Sequence, residues 1–121
     1  MYRRIFMLIF AFCLCAGVAR AQVAPDSDRP VAELYKTNCQ ACHMADGNAA
    51  LEPMNFADGK WRHGSSVASL AKVITNGVPG TAMMPFKTRF SEKEIVALAK
   101  YVRAFDKTLK PAATARKRKK P

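Results

Sequence analysis

The sequence predicts an all-α fold of three to four helices joined by long loops. Residues 67–76 and residues 91–105 each repeat apolar side chains at positions three and four apart, which is the period of an amphipathic helix. A third helical segment is expected after Pro30. No segment combines apolar–polar alternation with hairpin turn residues, so a β-sheet is not expected.

The first helix is predicted from its start and its periodicity. Asp28 is a residue type favoured at the N-cap, and Pro30 is favoured in the first turn. Apolar and aromatic side chains then follow at helical spacing, namely Val31, Leu34 and Tyr35. This helix leads directly into Cys39.

The other two helices carry end signals as well. The second has a candidate cap at each end, and the third begins with the spacing of a capping box. The residues concerned are Ser65 or Ser66 and then Gly77 for the second helix, and Ser91 with Glu94 for the third. The apolar face of the third helix continues to about Phe105, so the helix is predicted to end there.

Length and the N-terminal residues set the domain organisation. A chain of 121 residues with 20 Lys and Arg and 9 Asp and Glu allows one small domain, and excludes a Rossmann or barrel enzyme. Residues 1–21 have the basic start, apolar stretch and small-x-small end of a cleaved signal peptide. An uncleaved membrane anchor is the alternative, although the apolar stretch is shorter than a membrane-spanning helix needs. A short N-terminal extension (22–29), a domain (30–109) and a basic tail (110–121) are then expected.

The remaining cysteines lie in one motif, Cys39-Gln40-Ala41-Cys42-His43. This run is the attachment signature of c-type haem, because two thiols with this spacing reach both vinyl groups and the next histidine can bind iron. A zinc site would need more ligands than this pair and His63 supply. A thioredoxin-like dithiol would need a βαβ pattern, and a local disulfide would leave His43 unexplained.

A bound haem would also account for the long segment 44–64, which has little periodicity. A loop of this length is unusual in so small a domain. Wrapping a large apolar macrocycle would give it a role and would enlarge the core. We therefore expect the haem-free chain to fold poorly.

The chain resembles a monohaem class I cytochrome c of the small bacterial type found alone or in respiratory oxidases and dehydrogenases. The resemblance covers residues 30–105 and rests on three motifs in order: residues 39–43, residues 77–86 and the helix 91–105 with Tyr101. It implies a cytochrome c fold around one haem c held by Cys39 and Cys42, with His43 as one axial ligand.

The resemblance also implies a methionine as the second axial ligand. Met83 is favoured over Met84, because it completes a Gly-Thr-x-Met run and Phe86 stands three residues later. Other roles follow the family. The Pro53 carbonyl would accept the His43 N–H, Trp61 would close the haem edge and bond a propionate, and Tyr35 would meet Tyr101 where the first and last helices cross. His63 is expected to be an ordinary loop histidine.

Two axial ligands leave no open position at iron, so the implied function is electron transfer and not catalysis. The expected protein is a soluble periplasmic one-electron carrier between a membrane complex or dehydrogenase and an oxidase or reductase. Alternatives are a subunit of a larger oxidoreductase and a five-coordinate peroxidase or ligand-binding protein. No nucleic-acid partner is expected of an exported chain. The basic cluster 116–120 could instead contact an acidic partner or anionic lipid.

Overall fold

The computed structural model describes residues 29–112, and this part of the chain is helical with no strand. It contains four α-helices and one 3₁₀ turn, so the predicted all-α class is confirmed. They are α1 (Val31–Asn38), α2 (Gln40–His43), the 3₁₀ turn (Glu52–Met54), α3 (Val67–Asn76) and α4 (Glu92–Arg103). The predicted signal peptide, most of the N-terminal extension and most of the basic tail lie outside the described residues.

The first helix begins later than its predicted cap implied. Pro30 occupies the N-cap position, and its carbonyl accepts hydrogen bonds from the backbone N–H groups of Glu33 and Leu34. The predicted cap, Asp28, is outside the described residues. No side chain caps α1, because proline has no side-chain oxygen to accept from the N–H groups of the first turn.

The end signals of α3 and α4 are confirmed. Ser66, and not Ser65, caps α3, because its hydroxyl accepts from the Ser69 N–H at 3.0 Å. Gly77 ends the helix at φ 66°. Ser91 and Glu94 form the full capping box of α4, which ends at Arg103, two residues before the predicted limit.

The core lies where α4 packs against α1 and α3. The tyrosines of the first and last helices meet there, as predicted, and the Tyr35 and Tyr101 ring centroids are 5.2 Å apart. The buried apolar and aromatic residues of the core are Leu34, Tyr35, Leu70, Phe86, Phe90, Ile95, Leu98, Ala99 and Val102. Cys39 of the cysteine motif and Met83 of the methionine pair both pack against this core.

An ion pair ties the start of the described chain to α4. The Arg29 guanidinium donates to both carboxylate oxygens of Glu94, at 2.8 and 3.0 Å. Glu94 is buried and also accepts from the Ser91 N–H at 2.9 Å. Because Arg29 is 42% exposed, we assign this pair no more than about 1 kcal/mol.

The loop between α2 and α3 is ordered by side-chain bonds more than by regular structure. The Asn55 side-chain oxygen Oδ1 accepts from the Ala57 backbone N–H at 2.7 Å, and its Nδ2 donates to the Ala49 backbone carbonyl at 2.9 Å. Such local bonding replaces the helix or strand ladder that the sequence lacks here. The last residue of its 3₁₀ turn, Met54, lies within hydrogen-bond distance of His43.

Candidate haem site

The two cysteines of the motif lie on one helical turn. Cys39 ends α1 and caps α2, and its carbonyl accepts from the Cys42 and His43 N–H groups at 3.2 and 3.0 Å. Residues three apart on a helix share a face, so both thiols project the same way. Both are free; Cys42 is exposed and Cys39 is half-buried.

The electrostatics of this pair differ from those of a redox-active dithiol. Burial, and then the neighbouring Cys42, raise the pKa of Cys39 to about 11. Reactive cysteines of disulfide oxidoreductases have lowered pKa values, which keep the thiolate populated at neutral pH. Cys39 is therefore protonated at pH 7, and this arrangement does not resemble a thioredoxin-like site.

His43 is the last residue of α2, and one nitrogen of its ring is hydrogen-bonded to a backbone carbonyl. Its Nδ1 lies 2.8 Å from the Met54 carbonyl oxygen. Since a carbonyl can only accept, Nδ1 donates, and the lone pair remains on Nε2. Burial lowers the pKa of His43, so the ring is a neutral imidazole suited to binding a metal.

The prediction that Pro53 supplies this carbonyl is wrong by one residue. Within the 3₁₀ turn the carbonyls of Leu51 and Glu52 accept from the Met54 and Asn55 N–H groups. Met54 is the last residue of the turn, and its carbonyl is the one that meets His43. Pro53 instead shapes the turn and is exposed.

Phe56 is a site residue that the sequence analysis missed. Its ring stacks on the His43 imidazole with centroids 4.2 Å apart and an interplanar angle of 17°. It also lies parallel to Trp61 at 5.7 Å. No periodicity or motif in the loop singles out this phenylalanine.

The two adjacent methionines point in different directions. Met83 packs against the core cluster, whereas Met84 is 54% exposed. The Met83 carbonyl accepts from the Val78 N–H at 2.9 Å, and a Cβ at Gly77 would lie 2.5 Å from that carbonyl oxygen. The missing Gly77 side chain thus lets this loop fold back tightly and hold Met83 toward the core.

Trp61 has a protein hydrogen-bond partner, and its predicted place at the haem edge stays a prediction. Its indole N–H donates to Asp106 Oδ2 at 2.8 Å. This bond joins the loop to the segment after α4, and the ring packs against the core cluster. Asp106 is buried, and no local sequence pattern indicates that it lies beside Trp61.

His63 lies apart from the donor set. It is exposed and borders an open groove of about 460 Å³ along α3, which is lined by none of Cys39, Cys42, His43 and Met83. Among residues 29–112, no group of three or more His, Cys, Asp or Glu side chains is placed to hold a metal ion.

The donors fit the group that the motif implies. Two free thiols on one helical turn match the attachment groups of a c-type haem. A neutral imidazole with its lone pair on Nε2 and a thioether held against the core match its iron ligands. The helical fold and this donor set together define a class I c-type cytochrome domain. Residues 26–102 match the family described as cytochrome c oxidase, cbb3-type, subunit III, and the chain belongs to that family.

Curated relatives carry the same domain within longer chains. The chain is 38% identical over 73 residues to the cbb3-type cytochrome c oxidase subunit FixP of Azorhizobium caulinodans, covering 59% of this chain and 25% of the relative. It is 35% identical over 80 residues to subunit CcoP of Rhodobacter capsulatus, covering 58% and 26%. The chain therefore spans about a quarter of the length of these relatives.

Solved structures agree on the fold. The KustC0563 c-type cytochrome superposes with a TM-score of 0.55 at 33% identity, over 65% of this chain and 100% of the other. Cytochrome c6 from the diatom Phaeodactylum tricornutum gives a TM-score of 0.50 at 31% identity, over 61% and 88%. The part of the chain described by the structure has no helix of the length and apolar character needed to cross a bilayer.

Proposed function

We propose that this chain binds one haem c through Cys39 and Cys42, with His43 and Met83 as axial ligands, and transfers single electrons. When bound, the haem supplies a reversible one-electron couple at its iron. The observation that carries the proposal is the His43 ring, held by Met54 with its Nε2 lone pair available beside two free thiols.

The inward position of Met83 supports it as the second ligand. The Met84 side chain is more than half exposed, whereas Met83 packs against the core from a loop fixed at Val78 and Gly77. If His43 and Met83 both held the iron, no position would remain on it for oxygen or a substrate. The chain's own contribution is then to fix the ligands and shield them from water, which favours electron transfer over catalysis.

The ligand set is testable by optical spectroscopy of the full chain made with a cytochrome c maturation system. We expect haem that stays attached after denaturation, a long-wavelength Fe(III)–sulfur band and no change with CO. Met83→Leu should lose the band and Met84→Leu, the matched control, should keep it. Ready CO binding by the unaltered protein would overturn the ligand set in favour of a five-coordinate peroxidase or ligand-binding protein.

For cellular role, we propose an exported carrier, released into the periplasm by cleavage after Ala21, that exchanges electrons with a membrane complex or dehydrogenase and an oxidase or reductase. The signal-like residues 1–21 support this. The second candidate is a subunit of a larger oxidoreductase, which the family match and the names of the curated relatives favour.

Fractionation distinguishes the two roles. A carrier is recovered from a detergent-free periplasmic extract as a single chain whose mass begins at Gln22. A subunit remains with the membrane and co-purifies with other haem-containing chains after mild solubilisation. Recovery of an uncleaved chain in the membrane fraction would reject the carrier.

A further inference from the structure

The stack of Phe56 on His43 restricts a rotation of the imidazole plane that the backbone hydrogen bond leaves free. The Met54 carbonyl holds one atom of the imidazole, Nδ1, at 2.8 Å. A ring tethered at one atom can still rock about that bond. A second ring 4.2 Å away and tilted by only 17° restricts that rocking, because tilting either plane brings the rings into collision.

Phe56 is itself firmly held, which a positioning residue requires. Its N–H donates to the Gly47 carbonyl at 2.7 Å. Its ring lies nearly parallel to Trp61 at 5.7 Å and to Phe105 at 6.5 Å, with interplanar angles of 7° and 9°. Trp61 is in turn anchored by its 2.8 Å bond to Asp106. The orientation of His43 is thus connected through stacked rings to the segment after α4.

We propose that Phe56 is a positioning residue that sets the plane of the His43 imidazole and thereby tunes the electronic structure of the iron it binds. The inference rests on the proposed function, since it takes His43 as an axial ligand. Groups that orient a metal-bound histidine affect its donor strength as well as its direction. Phe56 acts only through His43, and no contact between Phe56 and the iron is invoked.

The test compares three variants of the full, haem-loaded chain. Phe56→Leu removes the flat ring, and Phe56→Tyr keeps it. Phe90→Leu is the matched control, because Phe90 is also stacked on a phenylalanine, Phe86, at 5.2 Å and 6°, but in the core away from His43. The readouts are the haem-methyl proton shifts and EPR g-values of the oxidised protein, both of which respond to the imidazole plane, and the midpoint potential.

We expect Phe56→Leu to change the order or spread of the haem-methyl shifts, the g-values and the potential, and Phe56→Tyr to restore the native pattern. Phe90→Leu should lower the unfolding midpoint and leave the spectra unchanged. Native spectra in Phe56→Leu, with only lowered stability, would overturn the proposal.

Two results keep the test decisive. If Phe56→Leu fails to incorporate haem, Phe56→Met, which fills the space with a flexible side chain, is compared by the same spectra. Failure of the proposed function shows independently, as an unaltered protein without covalent haem or without the Fe(III)–sulfur band. If the unaltered protein shows both features but Phe56→Leu keeps the native spectra, the positioning role is rejected and the proposed function stands.

Discussion

The side chain of Phe105 occupies the space into which a side chain at Gly47 would project. A Cβ built on Gly47 lies 2.6 Å from Cγ and 2.9 Å from Cβ of Phe105. Gly47 also adopts φ +72°, a conformation that other residues avoid. The absent side chain lets Phe105, in the segment after α4, approach the loop in which the Gly47 carbonyl accepts from the Phe56 N–H.

Gly47→Ala should therefore destabilise the protein by about 2–4 kcal/mol, as the sum of backbone strain and overpacking. Gly80→Ala is the control, because Gly80 has φ +77° but no atom lies within 4 Å of the position that a Cβ would take there. It should cost only the strain, about 1 kcal/mol. Denaturant unfolding measures both, and equal losses would show that Phe105 yields without cost.

Met44 is a strained residue at the end of α2. It has φ 61° and ψ 163°, a region that is essentially restricted to glycine, and its side chain is 50% exposed. The Tyr35 hydroxyl donates to its carbonyl at 2.7 Å and stabilises this conformation. The strain lies on the residue directly after His43.

We expect Met44→Gly to be more stable than Met44→Ala by about 1 kcal/mol, since both lose the side chain but only glycine relieves the strain. A glycine variant is usually less stable than an alanine variant, because glycine loses more conformational entropy on folding. Ala45→Gly, at the next exposed residue, should show that usual loss. Thermal unfolding of the three variants gives the answer, and an alanine variant as stable as the glycine one would mean that Met44 is unstrained.

Much of the fold was predictable because its signals are local. A capping box needs only Ser91 and Glu94 at the right spacing, and a helix end needs only Gly77 after a periodic run. The start of α1 was less predictable, since Pro30 sits at the cap without any side-chain bond to mark it. Local sequence also marked the motif from Cys39 to His43.

The parts of the site that were missed depend on contacts between distant residues. Trp61 bonds Asp106 across 45 positions, and Phe56 meets His43 although the 3₁₀ turn lies between them in the chain. The carbonyl that bonds His43 was predicted one residue early, at Pro53 and not Met54. The sequence does not show which carbonyls of a turn accept hydrogen bonds within the turn and which stay available to other groups. A helix cap can be predicted from the spacing of two residues, whereas the path of a loop cannot.

The cap of α3 can be tested directly, since the sequence allowed two serines. Ser66→Ala removes the acceptor for the Ser69 N–H and should lower the free energy of unfolding by about 1 kcal/mol. Ser65→Ala should change it by less than about 0.5 kcal/mol, because Ser65 contributes only its carbonyl, to Arg103. A larger loss at Ser65 in urea unfolding would contradict this assignment.

Asp106 joins the loop to the segment after α4, and both of its carboxylate oxygens act only as hydrogen-bond acceptors. Oδ2 accepts from the Trp61 indole, and Oδ1 accepts from the Thr108 backbone and hydroxyl at 2.9 and 2.6 Å. Asp106→Asn must turn an amide N–H toward one of these donors, and should cost about 2 kcal/mol at pH 7. Asp58→Asn, at an exposed residue, is the control and should be nearly neutral in denaturant unfolding.

The same carboxylate predicts a pH dependence with a definite sign. The hydrogen bonds from Thr108 and then Trp61, with a further contribution from the charge of Arg103, lower the pKa of Asp106 against the opposing effect of burial. The folded state then binds fewer protons than the unfolded state, so this contribution is complete above the unfolded pKa of about 3.9 and is lost as the pH falls through the folded pKa. The stability gap between the unaltered protein and Asp106→Asn should consequently narrow from pH 6 toward about pH 2 in denaturant unfolding. A gap that stays constant or widens over this range would mean that the carboxylate is not the acceptor for Trp61 and Thr108 in solution.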